Sequence, residues 1–91
     1  MTHFLAKDKL TYAVTPEKSY VVDSTIVELE QRLDPARFTR IHRSTLLNLD
    51  HVQEIHSWFA GGVMVRLKGE KRTELTVARD RVRALGQRLG I

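Results

Sequence analysis

The stretch from Phe38 to Val52 (Phe-Thr-Arg-Ile-His-Arg-Ser-Thr-Leu-Leu-Asn-Leu-Asp-His-Val) constrains the fold more than any other part of the chain. Polar and apolar residues alternate at its start, where Phe38 and Ile41 frame Arg40, and a short apolar run, Leu46-Leu47, follows. Alternation at a period of two places successive side chains on opposite faces of a strand. The apolar residues read as a buried strand edge, and His42, Arg43 and Ser44 as a polar cluster presented from that strand's end. No acid lies between Pro35 and Leu49, so Arg37, Arg40 and Arg43 are expected to carry their charge without a local partner. Three guanidiniums, an imidazole and a hydroxyl this close together match what a reader of phosphates and base edges needs. Arginine forks onto guanine O6 and N7, and serine or histidine holds a phosphate oxygen.

The flanking sequence builds a small, strand-rich domain around this stretch. Phe4-Leu5-Ala6 and Leu10 to Val14 read as two strands joined by a tight polar turn at Lys7-Asp8-Lys9, since aspartate tolerates turn geometry. Thr15-Pro16-Glu17-Lys18 is a second turn, and Ser19 to Asp23, β-branched and aromatic, a third strand. Ser24-Thr25 opens a helix. Thr25 and Glu28 have capping-box spacing, Ile26, Leu29 and Leu33 form one apolar stripe, Glu30 and Arg32 face outward, and Asp34-Pro35 ends the element.

Beyond the central stretch, Asn48 to His51 reads as a short turn in which Asn48 bonds to nearby main chain. Val52 to Trp58 reads as a strand and Gly61-Gly62 as a hairpin turn. Val63 to Leu67 is a strand with Val63, Val65 and Leu67 on one face and Met64 and Arg66 on the other. Lys68 to Lys71 turns, Arg72 to Val77 pairs back, and Arg79 to Leu89 is helical with Val82, Leu85 and Leu89 inward, weakened by Gly86 and ended by Gly90. The expected architecture is mostly β: antiparallel strands and hairpins with two short helices, in one domain over residues 1–91.

Arg40-Ile41-His42-Arg43-Ser44, followed by Leu46-Leu47-Asn48, resembles the Arg-x-His-Arg-Ser-x-hydrophobic-hydrophobic-Asn core of the LytTR family, bacterial DNA-binding domains common as output domains of response regulators. The first hairpin, the Ile-x-x-Leu-x-x-x-Leu helix, the second hairpin and the closing Val-x-Arg segment fall in the family's order, so the likeness covers nearly the whole chain. It implies sequence-specific binding of double-stranded DNA for transcription regulation, with loops and strand ends entering the major groove. Arg43 then reads a base edge, as does Arg79, which stands where a strand gives way to a helix. The family commonly has Ser-Arg there. Here Ala78 replaces the serine, removing one phosphate contact, and Asp80-Arg81 stand in place of the usual aromatic. Lys9 in the first turn is the third base contact, and Lys7, Arg40, His42 and Ser44 hold phosphates. The resemblance further implies a homodimer on tandem repeats and a receiver or sensor domain in the full-length protein, with no cofactor.

Composition agrees and excludes alternatives. A net charge of +4 and a pI near 9.9 favour a polyanionic partner, and the bases cluster at Arg37–Arg43, Arg66–Arg72 and Arg79–Arg88 while acids crowd Asp23–Asp34. Absence of cysteine removes disulfides and thiolate metal sites. No apolar run approaches a membrane span and no signal pattern opens the chain, so a cytoplasmic protein without membrane contact is expected. His51 and His56 are five apart, a spacing that suits neither one helix face nor one strand face. With no HExxH, Gly-rich phosphate loop or GxSxG elbow, neither a metal site nor an enzyme is expected. The competing reading is a small β module that binds protein or RNA. An RNA-recognition surface needs paired aromatics on strands, and apart from Trp58-Phe59, which reads as core plus a half-exposed neighbour, the aromatics are scattered. Asn48 is assigned to the backbone rather than to DNA.

Overall fold

The computed structural model describes residues 1–57 and 62–90. It contains eight strands, two α-helices and two single 3-10 turns among those residues. In chain order the elements are β1 (His3–Lys7), β2 (Leu10–Val14), β3 (Ser19–Val22), α1 (Ile26–Arg32), β4 (Phe38–His42), β5 (Thr45–Asn48), a 3-10 turn (Leu49–His51), β6 (Val52–Ser57), β7 (Val63–Leu67), β8 (Glu74–Val77), a second 3-10 turn (Arg79–Arg81) and α2 (Val82–Leu89). The strands form two antiparallel sheets: a five-stranded sheet ordered β3-β2-β1-β5-β4 and a three-stranded sheet ordered β6-β7-β8.

The Leu46-Leu47 pair is an interior strand, and the expectation of a sheet edge is corrected. β5 lies between β1 and β4, with His3 opposite Leu47 and Phe4 opposite Leu46 on one side, and Thr39 opposite Leu47 on the other. All four β5 residues are buried. Two adjacent leucines in one strand point to opposite faces, so both are buried only when both faces are covered. Here they are. Leu46 joins Phe4, Ala13, Ile26 and Leu29 in a core beneath α1. Leu47 joins Ile41, Val63, Val65, Leu67, Val77 and Leu85 in a second core beneath the small sheet and α2. The five-stranded sheet is therefore the middle layer, with α1 on one face and the second sheet and α2 on the other. Each fully buried aliphatic side chain in these cores stabilises the fold by about 1.5–3 kcal/mol.

Local signals place the supporting elements. The Thr25 hydroxyl accepts from Glu28 N (3.1 Å) and the Glu28 carboxylate accepts from Thr25 N (2.9 Å), a complete capping box. Both bonds hold the Glu28 carboxyl below its ordinary pKa, the backbone bond most. Leu33, at the end of α1, is already extended ahead of Asp34-Pro35. In β7, Val63, Val65 and Leu67 are buried and Met64 and Arg66 half-buried, as the alternation requires. Asn48 is 5% exposed and ties backbone: its Oδ1 accepts from Asp50 N (3.0 Å) and its Nδ2 donates to Met1 O (2.8 Å).

Two boundaries differ from the sequence expectation. β8 begins at Glu74 rather than Arg72, because Arg72 has φ +49°, which breaks extended geometry. The last helical segment starts as a 3-10 turn and becomes α-helical only from Val82. The strand expected to run to Trp58 is described as far as Ser57; Trp58, Phe59 and Gly61 of the expected hairpin tip lie outside the described residues. No helix among the described residues is long and apolar enough to cross a membrane.

Candidate nucleic-acid interface

Three segments distant in sequence meet at one end of the middle sheet. The first is the β1–β2 turn, Asp8-Lys9, where both residues have positive φ (+52° and +68°). Two left-handed central residues define the mirror-image turn that matches strand twist in a two-residue hairpin. Lys7 and Lys9 flank Asp8 there, all exposed. The second is the β4–β5 turn, Arg43-Ser44. The β1–β5 ladder sets Leu5 opposite Thr45 and continues with Ala6 N donating to Ser44 O at 2.8 Å, which puts this turn beside the first. The third is the junction between β8 and the second 3-10 turn. Ala78 N donates to Ile41 O at 2.7 Å, so Arg79 is fastened to the last turn of chain before His42 and Arg43.

A bulge makes this docking possible. The β4–β5 register pairs Arg40 with Leu46 and His42 with Thr45, leaving Ile41 as the extra residue. A bulged residue is out of step with the neighbouring ladder, and bulges re-aim side chains at strand ends. Ile41 uses the freedom twice: its side chain is completely buried and its carbonyl receives Ala78.

Strand alternation puts His42 and Ser44 on one face and Arg43 on the other. The strand ends at His42, and the turn that follows keeps this partition. His42 and Ser44 are half-buried and Arg43 exposed. Ser44 N donates to His42 Nδ1 (3.2 Å) and the Ser44 hydroxyl lies 2.9 Å from the same nitrogen. A ring nitrogen that accepts a backbone N–H carries no proton, so the neutral imidazole holds its proton on Nε2. That nitrogen is a donor turned away from the turn's own backbone.

The expectation that Arg37, Arg40 and Arg43 lack local partners is corrected for two of the three. Arg37 pairs with Asp50 (2.9 Å), both side chains well exposed, a contact worth about 0–1 kcal/mol. Arg40 pairs with Glu30 of α1 (3.0 Å), and its own side chain is only 11% exposed. Its Nε donates to His42 O (3.0 Å) and a terminal nitrogen donates to Arg43 O. Sequence distance hid both partners, since acid and base meet only after folding. Arg43 has no ion-pair partner among the described residues. Glu30, read as simply outward-facing, proves to be part of the assembly.

Ala78 caps the second 3-10 turn without any side-chain hydrogen bond, the local consequence of alanine where a serine would accept one. At the opposite end of the sheet, His3 is buried and its pKa is lowered to about 4 by that burial. Its Nδ1 lies 2.8 Å from Thr2 Oγ1, whose hydroxyl proton is directed to Val14 O, so Nδ1 is the donor in the neutral ring. His56 lies 3.2 Å from Glu54, which also takes Arg66. Among the described residues no group of three or more histidines and acids is placed to hold a metal.

Comparisons with known proteins converge on one family. The LytTr DNA-binding domain model matches residues 2–90. Transcriptional regulatory protein YpdB of Escherichia coli K12 is 37% identical over 82 residues, which is 90% of this chain and 33% of that protein. Sensory transduction protein LytR of Staphylococcus epidermidis is 30% identical over 82 residues, 90% of this chain and 32% of that protein. The chain thus spans about a third of the length of the curated relatives it matches. A solved LytTr DNA-binding domain from Bacillus cereus superposes with a TM-score of 0.88 over 99% of this chain and 81% of that one, at 23% identity, and shows the same fold. The match across residues 2–90 establishes that this chain belongs to the LytTR family of DNA-binding domains.

Proposed function

We propose that the chain binds double-stranded DNA sequence-specifically and regulates transcription by reading the major groove from the sheet end where its three turns meet. The observation that carries this is the convergence of Lys7, Lys9, Arg43 and Arg79, drawn from three separate segments, onto one end of one sheet through the Ala6–Ser44 and Ala78–Ile41 hydrogen bonds. Bases gathered on one end, on a chain of net charge +4, suit a polyanion.

Within that reading, Arg43 is the principal base reader, because a guanidinium with no ion-pair partner among the described residues, on an exposed turn, is available for a bidentate contact with guanine. Arg79 and Lys9 read the flanking bases. His42 donates from Nε2 to a phosphate, and Ser44 and Lys7 hold phosphates on either side. Two copies bind a tandem repeat, and in a full-length regulator of the size of the relatives a receiver or sensor segment controls the domain. A bacterial cytoplasmic setting accords with a chain free of cysteine.

The test is anisotropy with duplexes selected from a random pool, across a salt series, for wild type and Arg43→Ala. An enriched motif whose binding falls steeply with salt and whose advantage over random duplex disappears in Arg43→Ala supports groove reading. No enrichment together with weak, salt-independent binding rejects it in favour of a protein-binding module.

A further inference from the structure

Arg40 stands within the basic central stretch, yet its guanidinium is turned into the protein. Its side chain is 11% exposed. Nε donates to His42 O at 3.0 Å, one terminal nitrogen donates to Arg43 O, and the other donates to Glu30 Oε1 at 3.0 Å. The two carbonyls belong to the peptide groups on either side of the Arg43 Cα. Holding both fixes the φ and ψ of Arg43, and with them the direction in which its Cα–Cβ bond leaves the turn. The ladder, shifted at Ile41, closes the turn through the His42–Thr45 pair, and Ser44 N is held by His42 Nδ1; to these Arg40 adds its hold on the two carbonyls. Glu30 projects from α1 and holds the guanidinium from the far side, so that the orientation of the turn is referred to a helix fixed in the core by Ile26 and Leu29.

Resting on the groove-reading function above, we propose that Arg40 and Glu30 are positioning residues: together they set the direction of the Arg43 side chain, and Arg40 supplies no phosphate contact. This reassigns Arg40 from the phosphate-holding set and brings into the machinery an acidic residue on a helix remote in sequence. A guanidinium is needed because it alone forks onto two carbonyls and a carboxylate from one planar group; a lysine keeps the charge and loses the fork.

The consequences run against simple electrostatics. Removing Glu30 makes the domain more basic, which by charge alone tightens binding to every duplex. Positioning predicts the opposite for the selected motif. Exchanging Arg40 for lysine preserves charge, which leaves a phosphate contact largely intact, but it removes the brace.

The experiment compares wild type, Glu30→Ala and Arg40→Lys on the selected motif and on random duplex across a salt series, and measures amide hydrogen exchange at Arg43 and Ser44 in each DNA-free protein. Alanine at an exposed helical position carries no propensity cost, so Glu30→Ala keeps the fold while opening the brace. Both variants are expected to lose roughly three- to tenfold of their preference for the motif, the scale of one ordinary intramolecular hydrogen bond, with an unchanged salt slope and faster exchange at the two turn amides. Intact motif preference and unchanged exchange in Glu30→Ala overturn the proposal. So does an Arg40→Gln variant whose affinity falls equally on both duplexes with the salt slope reduced by about one phosphate. If wild type itself selects no motif, groove reading has failed, and the exchange measurement, which needs no DNA, still decides whether Arg40 and Glu30 order the turn.

Discussion

The two hairpin turns at the basic end of the middle sheet reach a defined shape by different routes. The β1–β2 turn is ordered by its own backbone: Asp8 and Lys9 both occupy left-handed conformations, closing the tightest hairpin the strands permit. Such conformations cost non-glycine residues about 1–2 kcal/mol each, a cost offset by the paired strands on either side. The β4–β5 turn has no positive-φ residue and follows an irregular ladder, and besides the Ser44–His42 bond it is held by Arg40, which reaches forward from within β4 to the carbonyls of His42 and Arg43 and out to α1. One turn is a local structure presented by a sheet; the other is a tertiary structure assembled from a strand and a helix. The difference teaches that similar surface positions respond to mutation on different scales, local for Lys9 and distributed for Arg43.

The comparison is broken most severely by removing what lies beneath both turns. Leu47 contacts the second core from the strand that follows Arg43-Ser44 and precedes the Asn48 cap. Leu47→Ala should cost about 2–5 kcal/mol, measured by urea unfolding; a loss below about 1 kcal/mol would show that the middle layer is not the common support of the two turns.

Acidification tests the far end of the β1–β2 arm. His3 begins β1, and its folded pKa of about 4 lies below the unfolded value of about 6.5. The unfolded chain therefore binds the extra proton, and the stability from burying a neutral imidazole is present above about pH 6.5 and lost as pH falls towards 4. A decline on the order of 1–3 kcal/mol across that window, absent in His3→Gln, is the expected thermal-melt result. A rise in stability on acidification would reverse the assignment.

Arg43→Ala should remove about 1–3 kcal/mol of discrimination between the selected motif and its single-base variants with little change in stability, as competition titrations would register. Discrimination retained in that variant would move base reading to another residue. On the opposite turn, Lys9→Gly relieves about 1–2 kcal/mol of left-handed strain against about 0.5–1 kcal/mol of added chain entropy, so it should stabilise the domain by about 0.5–1 kcal/mol while weakening duplex binding. If glycine destabilises instead, the first turn draws on contacts of its lysine and the contrast between the turns narrows. The smallest expected effect is at the third segment. Ala78→Ser restores a side-chain cap to the 3-10 turn before α2, for a gain of about 0.5–1 kcal/mol visible as a raised denaturant midpoint at unchanged slope.

Much of the architecture was legible because its causes are local. The capping box at Thr25 and Glu28, the alternation in β7, the turn residues at Asp8-Lys9 and the backbone-tying role of Asn48 each depend on residues a few positions apart. The candidate site was only partly legible. Arg43, Arg79, Lys7 and Lys9 stand out by charge at turns and junctions, and the family motif names the first two. What misled was the rule that an arginine with no nearby acid is unpaired. Arg37 and Asp50 are 13 positions apart, Arg40 and Glu30 are 10, and both pairs form across loops that linear reading does not close.

The sequence by itself determined which segments become strands, helices and turns, because period, capping and turn chemistry act over one to four residues, and through its motif it determined the family. Tertiary structure alone decided that Leu46 and Leu47 face two different cores, that three basic segments share one sheet end, and that Arg40 braces a turn from within. Those outcomes follow from sheet order and register, β5 between β1 and β4 with a bulge at Ile41. They require the whole chain to be packed before any of the partners are within reach.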